Sequence, residues 1–253
     1  MLQTKISILS TRPVDENLVT EAATKGFFVD IKPFIRTEPI QSIEVLQEIE
    51  LALLQSAMVV FTSMNAVKAV AEELKGQKPD WLIYCIGNTT RELTEKYFGK
   101  DLIAGTADNA KDLAGIIINK PGADKVIFFC GDQHRNELPD ALRENNIDIN
   151  EIVVYQTTAI PHKIDKNYNG ILFFSPSAVQ SFFQKNKLNH QTILFAIGNT
   201  TANEIKKYLR ASPVQASAGK AGSTNKIVVS DEPGKKTLLE KAITFFQTHP
   251  IHH

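Results

Sequence analysis

Polar turns that follow short apolar runs carry the residues of this sequence best suited to bind a ligand. The pentapeptide IGNTT occurs twice, at residues 86–90 and 197–201, each time between an apolar run and a helix-like segment. Its glycines, Gly87 and Gly198, let the backbone approach a ligand closely. The amides that open a helix have no partner inside it and lie at the positive end of its dipole, so they can bind carboxylate or phosphate groups.

Further turns share this composition. They place Ser, Thr, Asn or Asp where a helix is expected to begin, as in STRP, TSMN, GTADN, GDQHR and SPSA. Helix capping alone is the other explanation for any single turn of this kind. Arg12 and Arg135 lie in turns after corresponding strands of a weaker repeat, so we predict that both approach an anionic ligand, although a solvated surface arginine is the alternative.

Composition excludes several classes of function. The 28 Lys and Arg residues equal the 28 Asp and Glu residues, which disfavours non-specific nucleic-acid binding. We expect a cytoplasmic protein, because no apolar run reaches membrane-spanning length and the first residues do not form a signal peptide. Cys85 and Cys130 lie in apolar runs and are predicted to be buried, reduced thiols.

Searches for motifs with known chemistry find none. The six histidines show neither an HExxH pattern nor ligand-like spacing to cysteine, so we predict no metal site. GxSxG, GxGxxG and Walker A sequences are absent as well, so neither a nucleophile nor a nucleotide loop is predicted.

Strand-like and helix-like segments alternate along almost the whole chain, which indicates parallel sheets covered by helices. Because the strand–turn–helix series occurs twice, we predict two similar α/β domains of flavodoxin-like or Rossmann-like type. One comprises residues 1–34 and 157–253 and the other residues 38–154, joined by a two-stranded hinge. Ligands are expected outside the carboxyl ends of the strands. The last strand is either 213–216 or 226–230.

Several segments, in this order, resemble the uroporphyrinogen-III synthase family. They are VVFTSMNAVKAV, YCIGNTT, AGTADNAKDLA, FFCGDQHRNELPDALRENNI, IVVYQT, ILFFSPSAVQSF and FAIGNTTA. Together they cover most of residues 59–201. The segment ASPVQASAGKAGSTNKIVVSDEPGKKTLL is longer than its counterpart in the family, so we assign no binding role there.

The resemblance implies a two-domain enzyme that cyclises hydroxymethylbilane, a linear tetrapyrrole with eight carboxylates, to uroporphyrinogen III. In that reaction the substrate loses its ring A hydroxyl to give an azafulvene, and ring D is inverted through a spiro intermediate before the macrocycle closes. The resemblance also implies that no cofactor or metal is needed and that hydroxymethylbilane synthase supplies the substrate. We expect a monomer.

For the site, the resemblance implies that Tyr155, in the VYQT motif, is the proton donor that assists departure of the hydroxyl. A tyrosine that only packs between the domains is the alternative. The residues that the resemblance assigns to substrate binding are Ser63, Gly87, Asn88, Thr89, Ser175, Ser177, Gly198, Thr200 and Thr201.

A different class of function stays open at this point. A non-catalytic two-domain module that closes on a polyanionic small molecule would have the same architecture, because fold does not determine function.

Overall fold

A computed structural model describes residues 5–189, 191–211, 225–232 and 234–249 of the 253-residue chain. The chain divides into two compact units, one formed by residues 1–36 and 158–253 and the other by residues 37–157.

The strands and helices alternate as the sequence predicts. The strands are β1 (Ile6–Ser10), β2 (Phe27–Ile31), β3 (Ile35–Pro39), β4 (Ala57–Phe61), β5 (Trp81–Ile86), β6 (Ile103–Ala107), β7 (Lys125–Gly131), β8 (Asp148–Ala159), β9 (Gly170–Phe173), β10 (Ile193–Ala196) and β11 (Ile227–Val229). The helices are α1 (Glu16–Thr24), α2 (Ile43–Leu53), α3 (Met64–Leu74), α4 (Asn88–Phe98), α5 (Ala110–Ile118), α6 (Glu137–Glu144), α7 (Pro176–Phe183), α8 (Asn199–Ala211) and α9 (Lys235–Thr248), with a 3-10 turn at Lys100–Leu102.

The first unit contains a five-stranded sheet in the order β11-β10-β9-β1-β2. Every pairing in it is parallel. Successive residues of one strand are buried on opposite faces: Ile8 packs in the cluster that includes α1 and α9, whereas Leu9 packs in the cluster that includes α7 and α8. A strand covered on both faces needs no polar alternation, which explains runs such as ILFF.

The second unit contains a six-stranded sheet in the order β3-β8-β7-β4-β5-β6. The four pairings from β8 to β6 are parallel. Phe129 of β7 packs on the face covered by α2, α3 and α4, and its neighbour Phe128 packs on the face covered by α5 and α6. The predicted class, two parallel α/β sheets flanked by helices, is therefore confirmed.

The chain passes between the units within two strands, β3 and β8, which are neighbours in the second sheet. In the predicted alternatives for the last strand, residues 213–216 lie outside the described part of the chain. β11, within the other alternative, pairs in parallel with β10 through Leu194 and Ile227.

Polar side chains cap five of the described helices, three of them in the predicted turns TSMN, GTADN and SPSA, whereas α4, α6 and α9 begin without a side-chain cap. The side chains of Asp15, Ser42, Ser63, Asn109 and Ser175 each accept a hydrogen bond from a backbone amide in the first turn of the following helix. The turns that lead from a strand to a helix, with the candidate residues in them, lie at the carboxyl ends of the strands, and these caps fix how the following helices begin.

Candidate active site

The Tyr155 side chain is held in place by the backbone of the neighbouring strand. The register of β7 and β8 shifts after Cys130, which pairs with Val153, so that Gly131 pairs with Tyr155. A Cβ atom on Gly131 would lie only 2.3 Å from the Cζ atom of the Tyr155 ring. The phenol therefore occupies the space that any other residue at position 131 would fill.

The backbone beside this ring is tied down as well. The amide of Asp132 donates to the Tyr155 carbonyl at 3.1 Å, and the Asp132 carboxylate accepts from the Thr157 amide at 2.9 Å. A bulge of this kind, with one extra residue on β8, redirects a side chain without breaking the sheet.

The Tyr155 hydroxyl reaches the start of α3. It lies 3.1 Å from the Ser63 hydroxyl, to which it donates. The same Ser63 oxygen accepts a hydrogen bond from the Asn65 amide at 3.1 Å, which is the cap of α3. The cap therefore fixes the Ser63 oxygen in place, and Ser63 in turn fixes the phenol.

Burial is the largest influence on the Tyr155 phenol, and it raises the pKa above its ordinary value. Side-chain hydrogen bonding with Ser63 and Asn65 lowers the pKa, while the charges of Cys130 and Asp132 raise it further. The net direction is upward, so the phenol keeps its proton at neutral pH and can donate it.

The phenol faces a pocket of about 240 Å³ in the second unit. Such a volume takes one part of a large ligand, since pockets for whole drug-sized ligands measure roughly 300–1,000 Å³. Its charged side chains are one lysine and two glutamates. The lining residues are Thr37, Glu38, Pro39, Asn65, Lys68, Ala69, Glu72 and Tyr155.

The first IGNTT turn forms a smaller pocket of about 130 Å³. Gly87 has φ 72° and ψ 160°, a conformation that is essentially restricted to glycine. Glycine has no side chain to cap α4, and the exposed Asn88 and Thr89 begin the helix. Arg91 also lines this pocket and is paired with Glu95 at 2.9 Å.

The second IGNTT turn differs in its backbone. Gly198 does not have a positive φ, and a Cβ atom there would meet nothing within 4 Å. Thr200 is exposed, but Thr201 is buried, with 3% of its surface exposed. Thr90, the matching residue of the first copy, is buried too. The last threonine of each copy thus packs inside its unit.

The predicted residues of the first unit follow three adjacent strands. Arg12 follows β1, Ser175 and Ser177 follow β9, and the second IGNTT turn follows β10. Ser175 caps α7 by accepting from the Ala178 amide at 3.1 Å, so its oxygen already serves the helix.

The predicted residues of the second unit also follow adjacent strands. Ser63 follows β4, the first IGNTT turn follows β5, and Arg135 follows β7, while Tyr155 lies near the end of β8. The structure brings Tyr155 and Ser63 into contact, whereas Arg135 is exposed outside the lining of the Tyr155 pocket. The binding and catalytic roles of all these residues stay predictions.

Two residues of the site were not predicted from the sequence. The Asn65 amide donates to the Ser63 oxygen, and Asn65 lines the pocket. In the sequence, its turn, TSMN, was noted only as one of several expected helix caps. Gly131 belongs to the GDQHR turn, in which Arg135 was the residue predicted from the sequence. The missed signal was a glycine at the end of a buried strand, which often marks a close approach of another group to the backbone.

One group of side chains in the described part of the chain has the composition of a metal-binding set. The potential ligand atoms of Cys130, His134 and Glu151 lie within 4.8 Å of one another. The prediction of no metal site rested on spacing in the sequence, which does not detect residues that a sheet brings together.

Within the described residues, no helix is long and apolar enough to cross a membrane.

Comparisons with known proteins agree with the resemblance. A family model described as uroporphyrinogen-III synthase HemD matches residues 16–223. The fold is similar to a mutant uroporphyrinogen III synthase from the extremely thermophilic bacterium Thermus thermophilus, at 14% identity and TM-score 0.65, over 96% of this chain and 99% of that one. It is also similar to the uroporphyrinogen-III synthetase of Helicobacter pylori, at 17% identity and TM-score 0.60, over 95% of this chain and 99% of that one.

Proposed function

The chain belongs to the uroporphyrinogen-III synthase family, and from that premise we propose that the pocket beside Tyr155 is where the substrate loses its hydroxyl group. The activity is that of a cyclising lyase of tetrapyrrole biosynthesis, which converts hydroxymethylbilane to uroporphyrinogen III with inversion of ring D and loss of water.

Tyr155 acts in this proposal as the general acid. As the C–O bond of the hydroxymethyl group breaks, the phenol gives its proton to the departing oxygen, and water leaves. The lone pair of the pyrrole nitrogen drives this departure, which leaves an exocyclic C=C bond and a ring C=N bond, and transfer of the N–H proton to solvent gives the neutral azafulvene. The observation that carries the proposal is geometric: a protonated phenol is held at 3.1 Å from the Ser63 hydroxyl and lines a pocket.

Ser63 stabilises the phenolate that remains after proton transfer. Its oxygen is held by the Asn65 amide at 3.1 Å, so the hydroxyl hydrogen can rotate toward Tyr155 while the cap stays intact. A donor that is already in position lowers the cost of the developing charge without reorganisation.

The strand-to-helix turns bind the carboxylates of the substrate. In the second unit the amides that follow Gly87 supply donors at a helix start, with the small pocket of that turn beside them. The corresponding donors of the first unit are those of Arg12, Ser175, Ser177, Gly198, Thr200 and Thr201.

We also propose the setting in which the protein acts. It works as a monomer in the cytoplasm on substrate supplied by hydroxymethylbilane synthase. The two buried free cysteines support a reducing compartment. Light scattering at working concentration measures the mass, and a dimer would contradict the proposal.

The decisive experiment combines isomer analysis with a tyrosine variant. Hydroxymethylbilane is incubated with wild-type protein, with Tyr155→Phe and without protein, and the type I and type III products are separated. We expect type III product from the wild type and a turnover lower by about 100-fold or more from Tyr155→Phe, a typical loss for a general acid.

A matched control is Tyr97→Phe, which removes the hydroxyl of an exposed tyrosine on α4. It should leave turnover unchanged. Only type I product with the wild type would contradict the cyclase activity, whereas full turnover by Tyr155→Phe would remove Tyr155 from the mechanism.

A further inference from the structure

Cys130, His134 and Glu151 form a group that the proposed mechanism does not use. They come from the end of β7, the turn after it and β8, and their potential ligand atoms lie within 4.8 Å of one another. None of the three lines the Tyr155 pocket. The group therefore needs an explanation of its own.

The His134 ring is oriented as a metal-binding imidazole would be. Its Nδ1 atom lies 2.9 Å from the Gly131 carbonyl oxygen, which only accepts, so Nδ1 carries a hydrogen and donates. Phe128 meets the ring edge-on at 5.5 Å. An imidazole whose outer N–H is held by a backbone carbonyl presents its other nitrogen, Nε2, in a fixed direction.

The Nε2 atom of His134 points toward the Glu151 carboxylate. The Nε2 atom lies 2.6 Å from Oε2 of the carboxylate, so the two potential ligand atoms already face each other. The other oxygen, Oε1, is paired with Nη2 of Arg143. Arg143 thus fixes the orientation of the carboxylate through Oε1, and Oε2 stays available to bind a metal ion.

The Cys130 thiol completes the set. It is fully buried, and its Sγ atom lies 3.7 Å from the Ile152 carbonyl, a weak hydrogen bond. His134 and Glu151 are 19% and 22% exposed, so an ion can reach the group from solvent.

We propose that Cys130, His134 and Glu151 bind one zinc-class divalent ion, with water as the fourth ligand. Sulfur, nitrogen and one carboxylate oxygen are the donors that Zn²⁺ takes in tetrahedral sites, whereas Mg²⁺ and Ca²⁺ prefer oxygen alone. The metal takes the thiolate form of Cys130, so binding releases the thiol proton to solvent. The ion links the turn that carries Arg135 to both strands and takes no part in the cyclisation.

Cobalt(II) tests the site directly, because a thiolate–Co²⁺ bond gives a near-ultraviolet charge-transfer band that histidine and carboxylate ligands do not. The protein is stripped with a chelator, dialysed, and titrated with Co²⁺. We expect one Co²⁺ ion per chain and the thiolate band. Once Zn²⁺ replaces Co²⁺, the Tm should be higher than that of the metal-free protein.

Two variants test Cys130 and His134 as ligands, and two others serve as controls. Cys130→Ser should abolish the band, and His134→Gln should weaken binding by about tenfold or more, the loss expected when a metal ligand is removed from a partly exposed position. The matched control is Cys85→Ser, which alters the other buried free thiol and should keep the band. A His252→Gln, His253→Gln double variant should also keep it, because these tail histidines supply no thiolate.

Several outcomes would overturn the proposal. They are failure to bind a stoichiometric ion, a band that survives Cys130→Ser, a band lost with Cys85→Ser, and unchanged affinity in His134→Gln. None of them bears on the cyclase activity, which is measured separately by the isomer ratio.

Discussion

Replacing Gly131 by alanine tests how the neighbouring strand positions Tyr155, the proposed general acid. The new Cβ atom would lie 2.3 Å from Cζ, 2.6 Å from Cε2 and 2.7 Å from the hydroxyl oxygen of Tyr155. Ordinary van der Waals contact begins at 3.4 Å, so the ring must move by about 1 Å. Because Gly131 does not have a positive φ, the backbone itself accepts alanine and the effect comes from the clash.

Such a shift breaks the 3.1 Å hydrogen bond between the Tyr155 and Ser63 hydroxyls and moves the proton away from the leaving oxygen. A misplacement of about 1 Å costs on the order of 100-fold in rate, which equals about 2.7 kcal/mol in activation free energy. Overpacking should lower the free energy of unfolding by about 1–3 kcal/mol. We therefore expect a protein that folds but turns over about 100-fold more slowly.

The assay measures kcat for type III product at saturating hydroxymethylbilane, with thermal unfolding recorded on the same samples. The matched control is Gly115→Ala in α5, where an added Cβ meets nothing within 4 Å. It should keep full activity and gain about 1 kcal/mol of stability from helix propensity.

A folded Gly131→Ala protein with wild-type kcat would refute the reasoning. A second comparison separates the phenol from the rest of the site. In a Tyr155→Phe background there is no catalytic hydroxyl left to misplace, so Gly131→Ala should cause little further loss, as expected for residues that act as a unit.

The other predictions concern the turns and the thiols. Ser63→Ala should lower stability by about 1 kcal/mol through loss of the α3 cap, and should also lower kcat; an unchanged kcat would separate capping from catalysis. Gly87→Ala should cost about 1–3 kcal/mol because of its glycine-only backbone, whereas Gly198→Ala should be tolerated; equal losses in urea unfolding would contradict this difference. Burial raises the pKa of Cys85 to about 11 and that of Cys130 to about 12, above the ordinary 9.0. In metal-free protein, thiols ionise first in the unfolded chain, so their contribution to stability is fully present below the ordinary pKa of 9.0 and lost as pH rises through the folded values. The urea midpoint of chelator-treated protein should therefore fall less between about pH 9 and 11 in a double alanine variant.

Much of the fold was predictable because its strands are covered on both faces. Runs such as VIFF have no polar positions, and in the structure Phe128 and Phe129 indeed face opposite clusters. β3 was harder to predict as a strand. Its sequence, IRTEP, has no apolar periodicity, so the sequence predicted only a two-stranded hinge near these residues, and pairing with β8 makes the segment part of the second sheet.

The site was predictable only in part, because its geometry depends on pairings between distant strands. Tyr155 and Ser63 are 92 positions apart, and a one-residue shift in register decides which residue lies beside the phenol. No local pattern encodes that shift. The same holds for Cys130 and Glu151, which the sheet brings together although their spacing in the sequence resembles no ligand motif.

The repeated IGNTT turn shows how far identical sequence fixes identical structure. In both copies the last threonine is buried and the glycine carbonyl accepts from the amide four residues later, so the helix starts alike. The glycines differ: Gly87 has φ 72°, with its amide bonded to Ala107 of β6, whereas Gly198 does not have a positive φ. Glycine is required by the backbone in the first copy only. Among the described residues nothing lies within 4 Å of a Cβ at Gly198, so packing there does not require glycine. The same open space leaves room for a ligand close to the backbone, which is what the proposed carboxylate site needs.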